Sequence, residues 1–142
     1  MKYLVMVQGS QDEYDAMTGT ASAESPAWTG QDVQAMFAFM RELNEELARS
    51  GELVDGNGLT EPARTRFVSP GAGGQPVIED DPYARTDVLL AGYWVLDCAS
   101  LERVTEIAAR IARCPQPEGA PVRPVVIRPI EGEDSELTDA AG

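Results

Sequence analysis

Glu79-Asp80-Asp81-Pro82-Tyr83-Ala84-Arg85-Thr86-Asp87 runs without a break into Val88-Leu89-Leu90-Ala91-Gly92-Tyr93-Trp94-Val95-Leu96-Asp97, and this stretch decides the fold. An acidic turn with a proline leads into the most apolar strand candidate of the chain. Strict alternation puts Val88, Leu90 and Trp94 on one side of that strand and Leu89, Tyr93 and Val95 on the other. A strand that is apolar on both sides needs cover on both sides. One cover is a layer of helices, and the other is expected to be a second copy of the chain.

Upstream, Lys2-Tyr3-Leu4-Val5-Met6-Val7 is short, apolar and partly β-branched, and reads as a buried strand closed by Gly9 and Ser10. Residues 9–29 carry Gly, Ser, Thr, Asp and Pro without a sustained period, and read as a long loop anchored by Tyr14 and Trp28. Thr29 is placed to cap a helix, with Asp32 in its first turn. Val33, Met36, Phe37, Met40, Leu43 and Leu47 recur at three- and four-residue spacing, so this helix has one apolar face. A Met-rich face suits an adaptable binding surface. A helix lying on a sheet needs the same face for its core, and core is the expectation. Gly51 supplies the stop.

Residues 52–59 read as a short strand whose glycines predict a bulge or a close backbone approach. Residues 63–68 alternate as the next strand, and residues 75–79 return from a Pro70-Gly71-Ala72-Gly73-Gly74 turn. That turn lacks the Lys-Ser/Thr and following helix of a phosphate-binding loop. Downstream of the central strand, Ser100 caps a second helix with a Leu101, Val104, Ile107, Ala108, Ile111 stripe, ended by Pro115 and Pro117. A last strand lies within residues 121–130, its prolines confining it to an edge.

The predicted order is strand, helix, a strand and a small ribbon, strand, helix, strand. Two helices on one face of an antiparallel sheet give an α+β, ferredoxin-like split β-α-β fold. The expected organisation is one domain over residues 1–130, followed by an acidic flexible tail over residues 131–142.

Composition narrows the function classes. The net charge is −13, from 24 acidic and 11 basic residues, which argues against nucleic acid and anionic membrane surfaces as partners. The chain has no histidine, so His-based triads and zinc clusters are excluded. Two cysteines, Cys98 and Cys114, are too few for a disulfide framework. No metal and no cofactor is expected. No signal-peptide pattern is visible, and the longest apolar run, residues 88–96, is about half the length of a membrane span. The expected location is cytoplasmic.

Four segments carry a family resemblance: Leu47 with Ser50-Gly51-Glu52-Leu53-Val54-Asp55-Gly56-Asn57-Gly58-Leu59, then Asp80-Asp81-Pro82-Tyr83-Ala84-Arg85-Thr86, then Leu90-Ala91-Gly92-Tyr93-Trp94-Val95-Leu96-Asp97, and finally Ile127-Arg128-Pro129-Ile130. In these the chain resembles the YCII-related family, in its DGPF-type branch. The resemblance implies ferredoxin-like protomers paired in a dimeric α/β-barrel. It implies little about activity, beyond frequent association with extracytoplasmic-function sigma factors and occasional chemistry such as dehydrochlorination. The chain departs from the pattern. Asp80-Asp81-Pro82-Tyr83 stands for the family's Asp-Gly-Pro-Phe, and Arg85-Thr86-Asp87-Val88 for Glu-Thr-Lys-Glu. The histidine of the His–Asp pair proposed as catalytic in the YciI branch is missing, so Asp80 carries over without its partner.

A pocket beside the organising stretch would place Asp80 as a general acid or base, with Asp81 at its mouth. Tyr83 and Trp94 would wall an apolar ligand, and Arg85 or Arg128 would hold its carboxylate. The plainer alternative makes Asp80 a turn cap, Tyr83 a core residue and both arginines surface ion-pair partners. Three function classes follow: a small-molecule binding or regulatory module, possible as part of a sigma-factor system; a cofactor-free enzyme using Asp80 for proton transfer or elimination; and a structural or interaction dimer. The homodimer belongs to all three. The binding module is preferred, because the histidine is absent while the apolar walls are kept.

Overall fold

The computed structural model describes residues 1–132. Apart from Glu131 and Gly132, the acidic tail expected over residues 131–142 lies outside the described residues. In chain order the elements are β1 (Lys2–Gly9), α1 (Gln11–Met17), α2 (Gly30–Arg49), β2 (Leu53–Gly58), β3 (Arg66–Pro70), β4 (Pro76–Asp80), β5 (Leu89–Asp97), α3 (Leu101–Ile111) and β6 (Val126–Pro129). One sheet has the order β2-β5-β1-β6 and β3 pairs with β4 in a separate ribbon, all pairings being antiparallel. The molecule has a ferredoxin-like α+β fold in which the ribbon is inserted between the second and third strands of the sheet.

The expected strands and helices fall into place for local reasons. Tyr3, Val5, Trp94 and Leu96 project from β1 and β5 onto one face, where they meet Leu43 and Leu47 of α2 and Val104, Ile107 and Ile111 of α3. Val5, Leu43, Leu96 and Val104 are completely buried. Each such side chain contributes about 1.5–3 kcal/mol relative to exposure. The start of α2 is held by a reciprocal capping box: Asp32 N–H donates to Thr29 Oγ1 at 3.1 Å, and Thr29 N–H to Asp32 Oδ2 at 2.9 Å. Ser100 Oγ accepts from Arg103 N–H at the start of α3. As expected of a proline-flanked strand, β6 lies at a sheet edge.

Of the glycines of β2, Gly56 serves the expected close approach and Gly58 does not. A Cβ at Gly56 would lie 3.3 Å from Cδ1 of Trp94, so its absence leaves room for the indole. The register of β2 on β5 also slips between Leu53 and Asp55, a bulge that uses Val54 as the extra residue.

Three expectations need correction. Residues 9–29 are not loop throughout, because Gln11–Met17 is a helix. Ser10 Oγ caps it by accepting from Glu13 N–H, and the helix is too short for a periodic stripe to announce it. The strand placed at residues 63–68 begins only at Arg66. Pro62–Arg64 is a 3₁₀ turn, and Ala63 N–H donates to the Gln11 side chain at 2.8 Å instead of joining a ladder. Finally, Leu90 does not share a face with Trp94. Val7 pairs with Gly92 but Gln8 with Leu90, so Ala91 is an extra residue and the alternation of β5 flips there. Leu90 is 40% exposed while Trp94 is only 7% exposed.

Candidate functional site

The helices do not cover the sheet evenly. Between the N-terminal half of α2 and the sheet lies a cavity of about 540 Å³. Its floor is the end of β1 and the start of β5, including Val7 and Gly92. Met36, Phe37 and Met40 of α2 form one wall, Tyr14 and Met17 of α1 a second, and the segment after α3, with Cys114, Pro121 and Arg123, a third. The volume lies within the roughly 300–1,000 Å³ of small-molecule sites. The apolar face of α2 is therefore divided. Leu43 and Leu47 are buried in the core, as expected, but the Met-rich half lines the cavity, and Phe37 remains 55% exposed.

Both tryptophans of the chain, Trp28 and Trp94, lie on the cavity wall. Trp94 Nε1–H donates to Asn44 Oδ1 at 2.8 Å. An indole N–H can only donate, so the Asn44 oxygen is committed to it and the amide N–H₂ faces elsewhere. The Tyr14 hydroxyl lies 2.9 Å from the Leu59 carbonyl oxygen and 3.2 Å from that of Ala91, the bulged residue of β5. This bond ties α1 to the sheet, and burial raises the phenol above its usual pKa. Burial likewise pushes the Cys114 thiol up to about 11. That favours the neutral thiol at neutral pH. The charged residues in the lining are Glu13 and Arg123, and they are paired: Arg123 Nε and Nη2 donate to Glu13 Oε1 at 3.0 and 2.5 Å.

The structure disperses the residues singled out in the organising stretch. Trp94 lines the cavity; Asp80, Asp81, Tyr83, Arg85 and Arg128 do not. Asp80 ends β4, and its carboxylate accepts from Arg66 Nε at 2.7 Å and Nη2 at 3.2 Å. Hydrogen bonding to that guanidinium holds Asp80 below the usual carboxylate range, leaving it ionised. Asp81 has φ +49°, unique among the described non-glycine residues. This is a left-handed backbone position, which glycine adopts at less cost. Tyr83 packs edge-on against Phe67 with ring centroids 5.2 Å apart. Arg85 pairs with Asp12 at 2.9 Å and also with Asp15, fastening the organising stretch to α1. Arg128 stands opposite Leu4 in the edge strand β6. Among the described residues, no cluster of three or more Cys, Asp or Glu side chains is arranged to hold a metal ion, and no helix is long and apolar enough to cross a membrane.

Most of the cavity wall escaped notice in the sequence. One signal was present for Asn44: it follows Met36 and Met40 at four-residue intervals, a polar residue on an otherwise apolar stripe. Tyr14 and Trp28 stood out as the large side chains of residues 9–29. The Glu13–Arg123 pair joins residues 110 positions apart, and no local pattern announces it.

A ferredoxin-like sheet with an apolar cavity between strands and helices defines the chain as a small α+β protein. Residues 1–128 match the YCII-related domain, and the chain belongs to that family. No curated protein matches it.

Proposed function

We propose that this chain is a small-molecule binding or regulatory protein whose ligand occupies the cavity between α2 and the sheet. The observation that carries this reading is the 540 Å³ space itself, apolar over most of its wall and containing both tryptophans. A role alongside a sigma-factor system is part of the proposal and rests on the family resemblance alone. Intrinsic tryptophan fluorescence and melting temperature, read together across a metabolite library, test the binding reading. A true ligand changes the emission of Trp28 or Trp94 and raises the melting temperature. At a hundredfold excess over Kd the stabilisation is about 2.7 kcal/mol. A library in which no compound does both defeats the reading.

An enzyme built on Asp80 has less support. That carboxylate is engaged by Arg66 and stands apart from the cavity wall. A general acid near neutral pH needs its pKa raised, and Asp80 is shifted the other way.

Pairing of two copies through the uncovered sheet face is the second proposal. Leu4, Met6, Tyr93 and Val95 lie on the face opposite the core and are only half-buried, and Leu90 beside them is exposed. Facing sheets would complete a dimeric α/β-barrel. Sedimentation at micromolar concentration is expected to give twice the 15.3 kDa of one chain. A mass of 15.3 kDa would refute the pairing.

A further inference from the structure

The chemistry of the cavity wall narrows the ligand further. Among the described residues, formal charge in the lining comes from Glu13 and Arg123 alone, and each neutralises the other. Their side chains are only 18% and 29% exposed, so neither is freely hydrated. Glu13 belongs to α1 and Arg123 to the segment following α3, so the pair also ties two walls together. The remaining polar groups are largely occupied within the protein. Tyr14 is bonded to the Leu59 and Ala91 carbonyls, the Gln116 side chain donates to the Pro121 carbonyl, and the Asn44 oxygen accepts from Trp94. Thioethers and rings supply much of the surface left over: Met17, Met36, Met40, Phe37 and the two indoles.

A charged ligand entering this space meets no free counter-charge. It would lose hydration without repayment, or it would have to pull Glu13 and Arg123 apart and leave the other half of that pair uncompensated. An uncharged aromatic or aliphatic molecule faces neither cost and gains contact with polarisable sulfur and ring faces. On the reading that this cavity is the binding site, we propose that it selects uncharged, predominantly apolar ligands, and that the Glu13–Arg123 pair enforces the selection by cancelling charge in the wall.

Two dyes with one scaffold test this. N-phenyl-1-naphthylamine is neutral, and 8-anilino-1-naphthalenesulfonate is the same ring system bearing a sulfonate. Both accept energy from tryptophan, so quenching of Trp28 and Trp94 reports binding to the protein, and the response of Glu13 and Arg123 variants assigns it to this cavity. The neutral dye is expected to bind roughly tenfold more tightly than the sulfonate, and to displace it. Glu13→Gln leaves Arg123 without its partner. In that variant the sulfonate is expected to gain roughly tenfold while the neutral dye stays within about twofold. Arg123→Leu leaves a lone carboxylate and is expected to weaken the sulfonate further, so either variant checks the inference if the other fails to fold. Equal or tighter binding of the sulfonate to the unmodified protein overturns the selection while leaving the cavity as a binding site. Unchanged sulfonate affinity in both variants overturns the role given to the pair. Failure of both dyes to bind overturns the binding reading itself, and the selection with it.

Discussion

The β1–β5 pair and the β3–β4 ribbon are both antiparallel, yet they occupy opposite extremes of burial. Along β5, Trp94 and Leu96 are sealed beneath α2 and α3, with Leu96 completely buried. In the ribbon, Val68 is 65% exposed, Val77 57% and Ile78 52%, and every residue of both strands is exposed. The pairing itself is continuous in the ribbon, from Arg66 opposite Asp80 to Pro70 opposite Pro76. A two-stranded hairpin without a packed face is at best marginal in water. Backbone ladders can therefore be equally regular in the two places while their contributions to stability differ several-fold.

Substitutions of similar size put the contrast to its hardest test. Leu96→Ala is expected to cost about 3 kcal/mol, because it leaves a cavity in the sealed layer. Ile78→Ala is expected to cost under about 0.5 kcal/mol. Urea midpoints with unchanged slopes would establish both values. A larger cost for Ile78→Ala that grows with protein concentration would instead place the ribbon beneath a second copy.

An intermediate effect is expected at the junction of β2 and α3. Arg103 Nε and Nη2 each donate to the Glu52 carboxylate at 2.8 Å, and Ser50 Oγ donates to it at the same distance. The Arg103 bonds lower Glu52 from an ordinary 4.5 to about 2. A lowered carboxylate stabilises the fold fully above 4.5, and that contribution disappears as pH falls from 4.5 toward 2. With Arg103 43% exposed and screened by solvent, the loss is on the order of 1–2 kcal/mol. Glu52→Gln is expected to remove this part of the acid dependence and to leave stability at pH 2 nearly unchanged. An acid transition identical in the variant would assign the dependence to other carboxylates.

The smallest effects belong to the turn that follows the ribbon. Asp81→Gly relieves a left-handed backbone position and is expected to stabilise by about 0.5–1 kcal/mol. Destabilisation would mean that the Asp81 side chain itself holds the turn. Asp80→Asn is expected to leave the melting temperature unchanged within error, since its pairing with Arg66 is solvent-exposed. It is also expected to leave dye affinity unchanged, because Asp80 is not part of the cavity wall.

The architecture was legible because it is written in local periodicity and caps. Thr29 with Asp32, the Leu43–Leu47 stripe, and the alternation around Trp94 and Leu96 each specify an element without help from elsewhere. The cavity was not legible, because its walls come from α1, α2, two strands and the segment after α3, brought together only by tertiary packing. Val33, Met36, Phe37, Met40, Leu43 and Leu47 form one unbroken periodic stripe. Periodicity cannot say where along that stripe the sheet ceases to be in contact. The single-residue bulge at Ala91 is equally invisible in a run of apolar residues, yet it exposes the Leu90 side chain and lends a carbonyl to Tyr14.

The division of α2 has a consequence. Leu43 and Leu47 in its C-terminal half belong to the core, while Met36 and Phe37 in its N-terminal half line the hollow. Two demands are thereby separated along one helix. Changes near Met36 and Phe37 reshape what the hollow admits and leave the packing at Leu43 and Leu47 in place. The shape of the hollow can thus be altered by substitutions that leave the foundation of the fold alone.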